Sequence, residues 1–450
     1  MSYKPDPSKN VNLTINGIPV TVPEGTRILE AAKKVNIKIP VLCEHPELCR
    51  RAYCRICVVE GDGKGKLLAA CANDVWEGVK IVTNNARLVG VRKTILELVL
   101  ANHPQDCLYC SRNKNCELQL LAEEYGIRSS PYERSAEESP ATIESDTLVR
   151  DMSKCVKCAR CVEACQEVQT IRAINTSHRS HEFGISAPYK QALEESSCVF
   201  CGKCSSVCPV GAIYGHDQSA EVLDLVTKEE KAIAQISPDV AAALEKEFAC
   251  CEGGCVTTGK IVAALKLIGF KKVYDEKTAA SISNNELTSK LEKRIKTGAS
   301  AKLPMISGSS EGVSRFVKNF YPDLADHLAN VRCKRRIFAE VIHEAYAASE
   351  KADASSVTTV SFVPNIAQKY GAGGRKDFAL TAAELARMIK LAGINLCSLK
   401  EEQFDTIKID LPPQSSKAKP EIVSGFANAR KVMESIRSGK CKAQWIEIES

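Results

Sequence analysis

Lys154–Cys165 reads KCVKCARCVEAC and Ser197–Ile213 reads SCVFCGKCSSVCPVGAI. Each half spells C-x2-C-x2-C-x3-C, and the second closes on Cys208-Pro209. Such a run gives three thiolates to one cubane from a compact loop and sends its fourth cysteine to the neighbouring cube. The spacing therefore assigns Cys155, Cys158, Cys161 and Cys208 to one [4Fe–4S] cluster, and Cys198, Cys201, Cys204 and Cys165 to a second. The crossover keeps the two clusters a short, fixed distance apart, as an electron relay requires. Zinc knuckles are the competing assignment, but zinc sites space two cysteine pairs by a longer loop and need no third cysteine two residues on.

Working outward, residues 126–150 are polar and rich in Ser, Pro and Glu, and read as a connector into a double-cubane domain spanning 126–218. Before it, ARLVGVRKTILELVLAN has its apolar residues at helical spacing and stops at His103-Pro104. His103-x3-Cys107-x2-Cys110-x5-Cys116 follows. A histidine before proline is ordinarily a turn residue, but ahead of three cysteines with no fourth it is the missing ligand of another [4Fe–4S] cluster. Neutral imidazole in place of thiolate removes one negative charge and raises the reduction potential relative to an all-cysteine site. Zinc held by Cys3His competes here, and the companion motifs weigh against it. This segment is taken as a domain over 85–125.

The first 84 residues carry a β-grasp pattern. VNLTINGIPVTV alternates and is broken by Asn16-Gly17, a hairpin signal. Thr26 is the expected cap of a short helix, ILEAAKKV, with Glu30 in its first turn. Cys43, the pair Cys54-x2-Cys57 and then Cys71 supply the four thiolates of a [2Fe–2S] cluster. On spacing alone Cys49 competes with Cys43.

The chain has 450 residues, room for three or four domains, with a net charge of +6 and 22 cysteines. Near-balanced charge gives no nucleic-acid or membrane footprint. The polar start MSYKPDPSKN is no signal peptide, and no run approaches eighteen apolar residues, so no membrane span is expected. Cysteines in metal-type spacing without an export signal point to a reducing, cytoplasmic and anaerobic setting.

From residue 219 to 450 helix and strand patterns alternate: PDVAAALEKEF, TTGKIVAALKLIGF with Thr257 or Thr258 as cap, KKVYD, KLPMIS into VSRFVKNFY, and LTAAELARMIKLAGINL. They predict an α/β domain with its own core. No G-x-G-x-x-G follows a strand, and Gly371-Ala372-Gly373-Gly374 is a weak loop signal. ACCEGGC places Cys250, Cys251 and Cys255 just before a helix N-terminus, where an anionic cluster is favoured. An extra cluster there would draw on outside ligands such as Cys333 or Cys397; ordinary thiols or a redox-active pair are the plainer reading.

Together these features resemble the iron–sulfur catalytic subunit of [FeFe]-hydrogenases over nearly the whole chain. Residues 1–218 also resemble the large iron–sulfur subunit of respiratory complex I, and the IPVLC context favours Cys43 over Cys49. SPDVAAALEKEF, TGKIVAALKLIGFKKVYD, LPMISGSSEGVSRFVKNFYPDL, DFALTAAELARMIKLAGI and FANARKVMESI resemble hydrogenase-domain segments in the right order. The resemblance implies a multidomain α+β and α/β fold: a plant-type [2Fe–2S] ferredoxin-like domain, a His/Cys3 domain, a bacterial-ferredoxin-like double-cubane domain and a degenerate hydrogenase domain.

The family's hydrogen-cluster loops are replaced. Its Thr-Ser-Cys-Cys-Pro-Gly-Trp stands here as Ser307-Gly308-Ser309-Ser310-Glu311-Gly312-Val313, and its Met-Pro-Cys-Thr-Ala-Lys-Lys as Val363-Pro364-Asn365-Ile366-Ala367-Gln368-Lys369. Gln368 thus takes the place of the family's lysine beside the active cluster, and Cys333 that of a nearby serine. The motif with two further cysteines is expected after IEIES, where the chain ends, and a glycine-rich segment between about residues 408 and 417 is also missing. Serine and asparagine oxygens are poor substitutes for thiolates at soft iron. The chain is therefore expected to relay electrons without turning over hydrogen. It resembles the hydrogenase-like subunit of Stn-type electron-bifurcating transhydrogenases. That resemblance implies an NADH-dehydrogenase-like flavin iron–sulfur partner, an NADP(H)-binding flavin partner and ferredoxin, with FMN or FAD and NAD(P) in the partners only. A hydrogenase-like enzyme remodelled around Cys250 and Cys255 is the alternative. A hydrolase is a remote third, because Gly308-x-Ser310-x-Gly312 fits a nucleophile elbow only formally.

Overall fold

The Asn16-Gly17 turn sets the first sheet. Both residues have positive φ, 50° and 83°, the backbone of a type I′ turn whose twist matches the strands it joins. It links β1 (Asn10–Ile15) to β2 (Ile18–Pro23) in antiparallel register, Val11 opposite Val22 and Ile15 opposite Ile18. The computed structural model describes residues 5–49, 51–62, 65–134, 142–143, 145, 147–228, 232–248, 256–297, 302–308, 310–329, 333–350, 357–371, 377–406 and 419–449. They form two units: residues 1–142, 149–196 and 203–214 in the first, and 143–148, 197–202 and 215–450 in the second.

In the first unit α1 (Ile28–Lys34) lays Ile28, Leu29, Ala31 and Ala32 on the sheet, which β3 (Val58–Gly61), β4 (Lys66–Ala69) and β5 (Lys80–Val82) complete in the order β2-β1-β5-β3-β4. β5 runs parallel to β1 and antiparallel to β3. Alternation holds: Val11, Leu13 and Ile15 are buried, at 3%, 4% and 0% exposure. The expected Thr26 cap is corrected. The N-cap position belongs to Arg27 without a side-chain cap, and Thr26 Oγ1 instead donates to Pro23 O at 2.6 Å, closing the turn before the helix.

Asn85 caps α2 (Ala86–Ala101), accepting from Leu88 N at 2.8 Å. Then come α3 (Glu117–Glu124), the single turn α4 (Arg160–Glu163), which runs into a π-helical turn at Ala164–Val168, a hairpin of β6 (Asn175–Ser177) and β7 (Gly184–Ser186), and α5 (Lys203–Ser206).

The second unit opens with α6 (Ser219–Lys228), β8 (Ala232–Ile236), α7 (Val240–Glu245), α8 (Thr258–Ile268), β9 (Lys272–Asp275) and α9 (Lys277–Thr297). It continues through β10 (Met305–Gly308), α10 (Glu311–Phe320), α11 (Lys334–Glu350), β11 (Thr358–Val363), α12 (Ile366–Lys369), β12 (Asp377–Thr381), α13 (Ala382–Leu391), β13 (Glu421–Ser424), α14 (Phe426–Arg437) and β14 (Trp445–Glu449). Two parallel sheets result, β9-β8-β11-β12 and β10-β14-β13. Every residue of β8 and β11 is buried, because helices cover both faces of a parallel sheet. Ala234, Val360 and Phe362 meet α6, α8 and α13 on one side, while Ile233 meets Ala279, Ile337 and Ile342 on the other. Of the two candidate caps of α8, Thr257 does the capping, accepting from Lys260 N. Among the described residues no helix is long and apolar enough to cross a membrane.

Candidate functional site: cysteine-lined cluster loops

Cys43 sits in the loop after α1, Cys54 and Cys57 in the loop entering β3, and Cys71 just after β4. Cys54 N donates to Cys43 Sγ at 3.5 Å. Sulfur hydrogen bonds join Cys43 to Cys54 and Cys71, and Cys71 to Cys57. Those from Cys54 and Cys71 hold the Cys43 thiol down to about 2; the Cys54 and Cys71 thiols are pushed up, first by that sharing and then by burial. Four sulfurs thus share their protons in one nest, and iron would displace those protons, since a metal binds the thiolate. Cys49 is exposed and stands outside this group.

Cys155, Cys158, Cys161 and Cys208 line one cavity in the first unit, together with Met152, Ile185 and Ile213. Burial pushes the Cys155 thiol up to about 11, Cys158 to about 12 and Cys161 well above the ordinary value. Sulfurs this costly to ionise alone fit a cofactor that brings its own positive charge. Among the described residues no three His, Cys, Asp or Glu side chains converge on a single metal ion; here the four sulfurs ring a cavity instead.

The two halves of the motif repeat one backbone conformation. Lys157 and Ala159 have φ of 55° and 60°, and Phe200 and Gly202 have 52° and 74°, at matching positions. Lys157 N donates to Cys155 Sγ, and Phe200 N to Cys198 Sγ, each at 3.4 Å. Left-handed residues outside glycine cost about 1–2 kcal/mol each. Alternating them turns successive amides inward, the concavity that binds anions and iron–sulfur clusters. Of the second predicted set, Cys165 and Cys204 belong to the first unit, and Cys198 and Cys201 to the second. Cys165 Sγ accepts from Ala173 N at 3.3 Å.

His103 is buried, and burial holds its pKa below the usual histidine range, keeping the ring neutral. The ring bonds the backbone of Lys154, while Nδ1 has no hydrogen-bond partner. A metal-bound histidine characteristically ties one nitrogen to a carbonyl and offers the other. Cys107 opens a 3-10 turn that Cys110 closes, and Cys116 occupies the N-cap position of α3. A Cβ on Gly211 would lie 2.6 Å from Cys110 Sγ, so the chain beside Cys208 must be glycine here for the two loops to meet.

The three loop systems of the first unit are bonded to one another. Arg112 Nη2 donates to Ser205 O and Cys208 O, both at 3.1 Å, and Glu117 N to Pro209 O at 3.0 Å. Arg51 Nε pairs with buried Glu163 at 2.5 Å, and Lys203 Nζ with Glu47 at 3.0 Å. Sequence reasoning missed these clamps; the available signal was the charged residues Arg160, Glu163 and Lys203 lying inside the cysteine runs.

The second unit holds the residues that the resemblance set against the hydrogen-cluster motifs. Ser310 is the N-cap of α10 and is buried, and Asn365 caps α12, its Oδ1 accepting from Gln368 N at 3.0 Å. Ser307 Oγ accepts from Trp445 Nε1 at 2.9 Å. Lys369, at 1% exposure, donates to Glu384 at 2.7 Å and to His216 O at 2.6 Å. Tyr370 stacks on Phe200 with centroids 4.3 Å apart, and Arg315 donates to Cys198 O at 2.8 Å. Cys250, Cys251 and Cys255 lie outside the described residues; Cys333 is half-buried and Cys397 exposed.

Comparison with known proteins bears on both units. Residues 8–86 match the 2Fe-2S iron-sulfur cluster binding domain, 92–131 the NADH-ubiquinone oxidoreductase-G iron-sulfur binding region, and 145–214 the ferredoxin-like domain of NADH-quinone oxidoreductase subunit 3. Residues 230–411 match the C-terminal domain of the iron only hydrogenase large subunit. NADP-reducing hydrogenase subunit HndD of Solidesulfovibrio fructosivorans is 33% identical over 414 residues, 88% of this chain and 71% of that protein. The chain belongs to the iron-only hydrogenase family. Iron hydrogenase 1 of Clostridium pasteurianum, a second member, is 30% identical over 87% of this chain and 70% of its own length. NADPH-Fe(3+) oxidoreductase subunit alpha of Geobacter sulfurreducens is 32% identical over 203 residues, 45% of this chain and 24% of that protein. This iron-only hydrogenase relative is a mixed α/β multidomain protein with ferredoxin-like 2Fe-2S and 4Fe-4S domains and a hydrogenase-like domain.

Proposed function

We propose that this chain is an electron-relay subunit of a flavin-based electron-bifurcating NADH/NADPH/ferredoxin transhydrogenase. The observation that carries the reading is the direct bonding of three cysteine-bearing loop systems within the first unit, through Arg112, Glu117, Arg51 and Lys203. A relay needs fixed, short steps, and these bonds make the loops one framework. Bound clusters would supply one-electron redox chemistry. Cys43, Cys54, Cys57 and Cys71 would hold the [2Fe–2S] group; His103, Cys107, Cys110 and Cys116, then Cys155, Cys158, Cys161 and Cys208, and then Cys165, Cys198, Cys201 and Cys204 would hold three [4Fe–4S] groups. We divide the chain accordingly into 1–84, 85–125, 126–218 and 219–450.

The names of the relatives, subunits of an NADP-reducing hydrogenase and an NADPH-Fe(3+) oxidoreductase, support nicotinamide sites in partner subunits. The partners of this reading are an NADH-dehydrogenase-like flavin iron–sulfur subunit, an NADP(H)-binding flavin subunit, and ferredoxin as the low-potential partner. Hydrogen turnover is not assigned to this chain, because where the family has cysteine Ser310 stands at the N-cap position of α10 and Asn365 caps α12. Iron analysis and EPR of the anaerobically purified chain should give about fourteen irons, one [2Fe–2S] and three [4Fe–4S]. In the native complex NADH should reduce these signals, while hydrogen should not. Near six irons, or hydrogen uptake after treatment with hydrogenase maturation enzymes, would sink the reading.

A further inference from the structure

Arg160 stands between Cys158 and Cys161 and is 4% exposed. Its Nη1 and Nη2 donate to the Glu117 carboxylate at 2.6 and 2.8 Å, and Nη2 also donates to Glu44 O at 2.7 Å. Glu44 follows Cys43 and Glu117 follows Cys116. One guanidinium therefore touches the neighbour of a predicted ligand in the [2Fe–2S] loop and in the His103 loop, while its own backbone belongs to the cubane loop. A planar fork can serve two acceptors at once in this way; an ammonium offers no such fixed geometry.

We propose that Arg160 is the positioning residue of the relay: it sets the register of the three cluster loops, and its buried charge sets the reduction potential of the [2Fe–2S] cluster. The proposal rests on the ligand reading above. Each one-electron reduction adds a negative charge to a cluster, and a cation held nearby in a low-dielectric surrounding favours the reduced form. The groups that face it include the Cys43 and Cys158 thiols and nearby carboxylates. Glu117, 45% exposed, neutralises part of the guanidinium. Glu163, on the same turn, is already paired with Arg51, and Glu44 is paired with Arg27 at 3.3 Å. Removing Arg160's charge and removing Glu117's charge should therefore move the potential in opposite directions, which a purely structural cross-link would not do.

The test is redox-poised EPR of the full-length chain, prepared anaerobically as wild type, Arg160→Gln, Arg160→Lys and Glu117→Gln. For Arg160→Gln the [2Fe–2S] midpoint should fall by a tenfold change in the one-electron equilibrium, about 59 mV. Glu117→Gln should raise it, and Arg160→Lys, keeping the charge, should shift it less than threefold. Full iron content with an unmoved midpoint in both Arg160→Gln and Glu117→Gln, or shifts of the same sign, overturns the proposal. If Arg160→Gln takes up no iron, Glu117→Gln decides alone: a raised midpoint supports the proposal and an unmoved one ends it. A wild type without a [2Fe–2S] signal refutes the ligand reading instead, so the two failures are told apart.

Discussion

The loop at Cys155–Cys161 and the loop at Pro364–Lys369 are both short turns that the sequence reading set beside iron-ligand motifs, and they are built differently. In the first, thiols line a cavity, left-handed residues turn amides inward, and burial opposes ionisation of the lone thiols. In the second, Asn365 closes a helix N-terminus and Lys369 is locked to Glu384. The second satisfies its own polar groups, and that self-sufficiency is what a hydrogenase-type domain needs if it is retained as scaffold.

The strongest way to break this contrast is to strip iron with an anaerobic chelator. If the proposed ligand sets hold iron, the first unit should lose its whole folding stability, about 5–15 kcal/mol for a domain, because binding at such sites is coupled to folding. The second should keep its sheets. Hydrogen exchange would read this as exchange throughout Val11–Ile81 and retained protection across Ala232–Ile236 and Thr358–Val363. Equal protection of both units would end the comparison.

Next in size is the buried pair in the second unit. Lys369→Met leaves Glu384 charged and buried, at a cost of about 3–5 kcal/mol. Adding Glu384→Gln should recover most of it, since the amide still reaches Thr381. Chemical denaturation of the second unit measures both; a single variant within 1 kcal/mol of wild type would show that the lock is not a lock.

A smaller effect is expected at Asn365, the position the resemblance set against a family cysteine. Asn365→Cys removes a helix cap worth about 1 kcal/mol. Combined with Ser310→Cys it should add no iron and no hydrogen activity, because Ile366 packs within 2.8 Å of where a Gly202 Cβ would stand and Tyr370 covers Phe200. Extra iron in the double variant would mean that the site is only a thiolate or two from repair.

The mildest change for folding is His103→Cys. Iron content and melting should hold, while the midpoint of one [4Fe–4S] signal falls because the cluster gains a negative charge. If every midpoint is unshifted, His103 leaves the ligand set and becomes the plain turn residue that precedes Pro104.

The cysteine spacings made the cluster loops legible, because a ligand set is local: three sulfurs within seven residues need only one compact turn. The hairpin at Asn16-Gly17 and the strand and helix alternation after residue 219 were legible for a similar reason, since turn chemistry and burial period are written over a few residues. Thr26 shows the limit. Cap propensity fits Thr26, yet its hydroxyl found the nearer carbonyl of Pro23, a competition between two local bonds that composition does not rank. The preference for Cys43 over Cys49 came from its IPVLC context rather than from spacing; in the structure Cys43 shares hydrogen bonds with Cys54 and Cys71 while Cys49 is exposed.

By itself the sequence determined which cysteines and which histidine stand at ligand-type spacing, since that is a statement about residue type at a position. Only the tertiary structure decided what those positions do. It brought Glu44, Glu117 and Arg160, separated by up to 116 positions, into one hydrogen-bonded contact, and it turned Asn365 into a cap and Lys369 into half of an ion pair. Such pairings depend on the packing of distant segments, where the cost of burying a charge is settled by whichever partner the fold delivers.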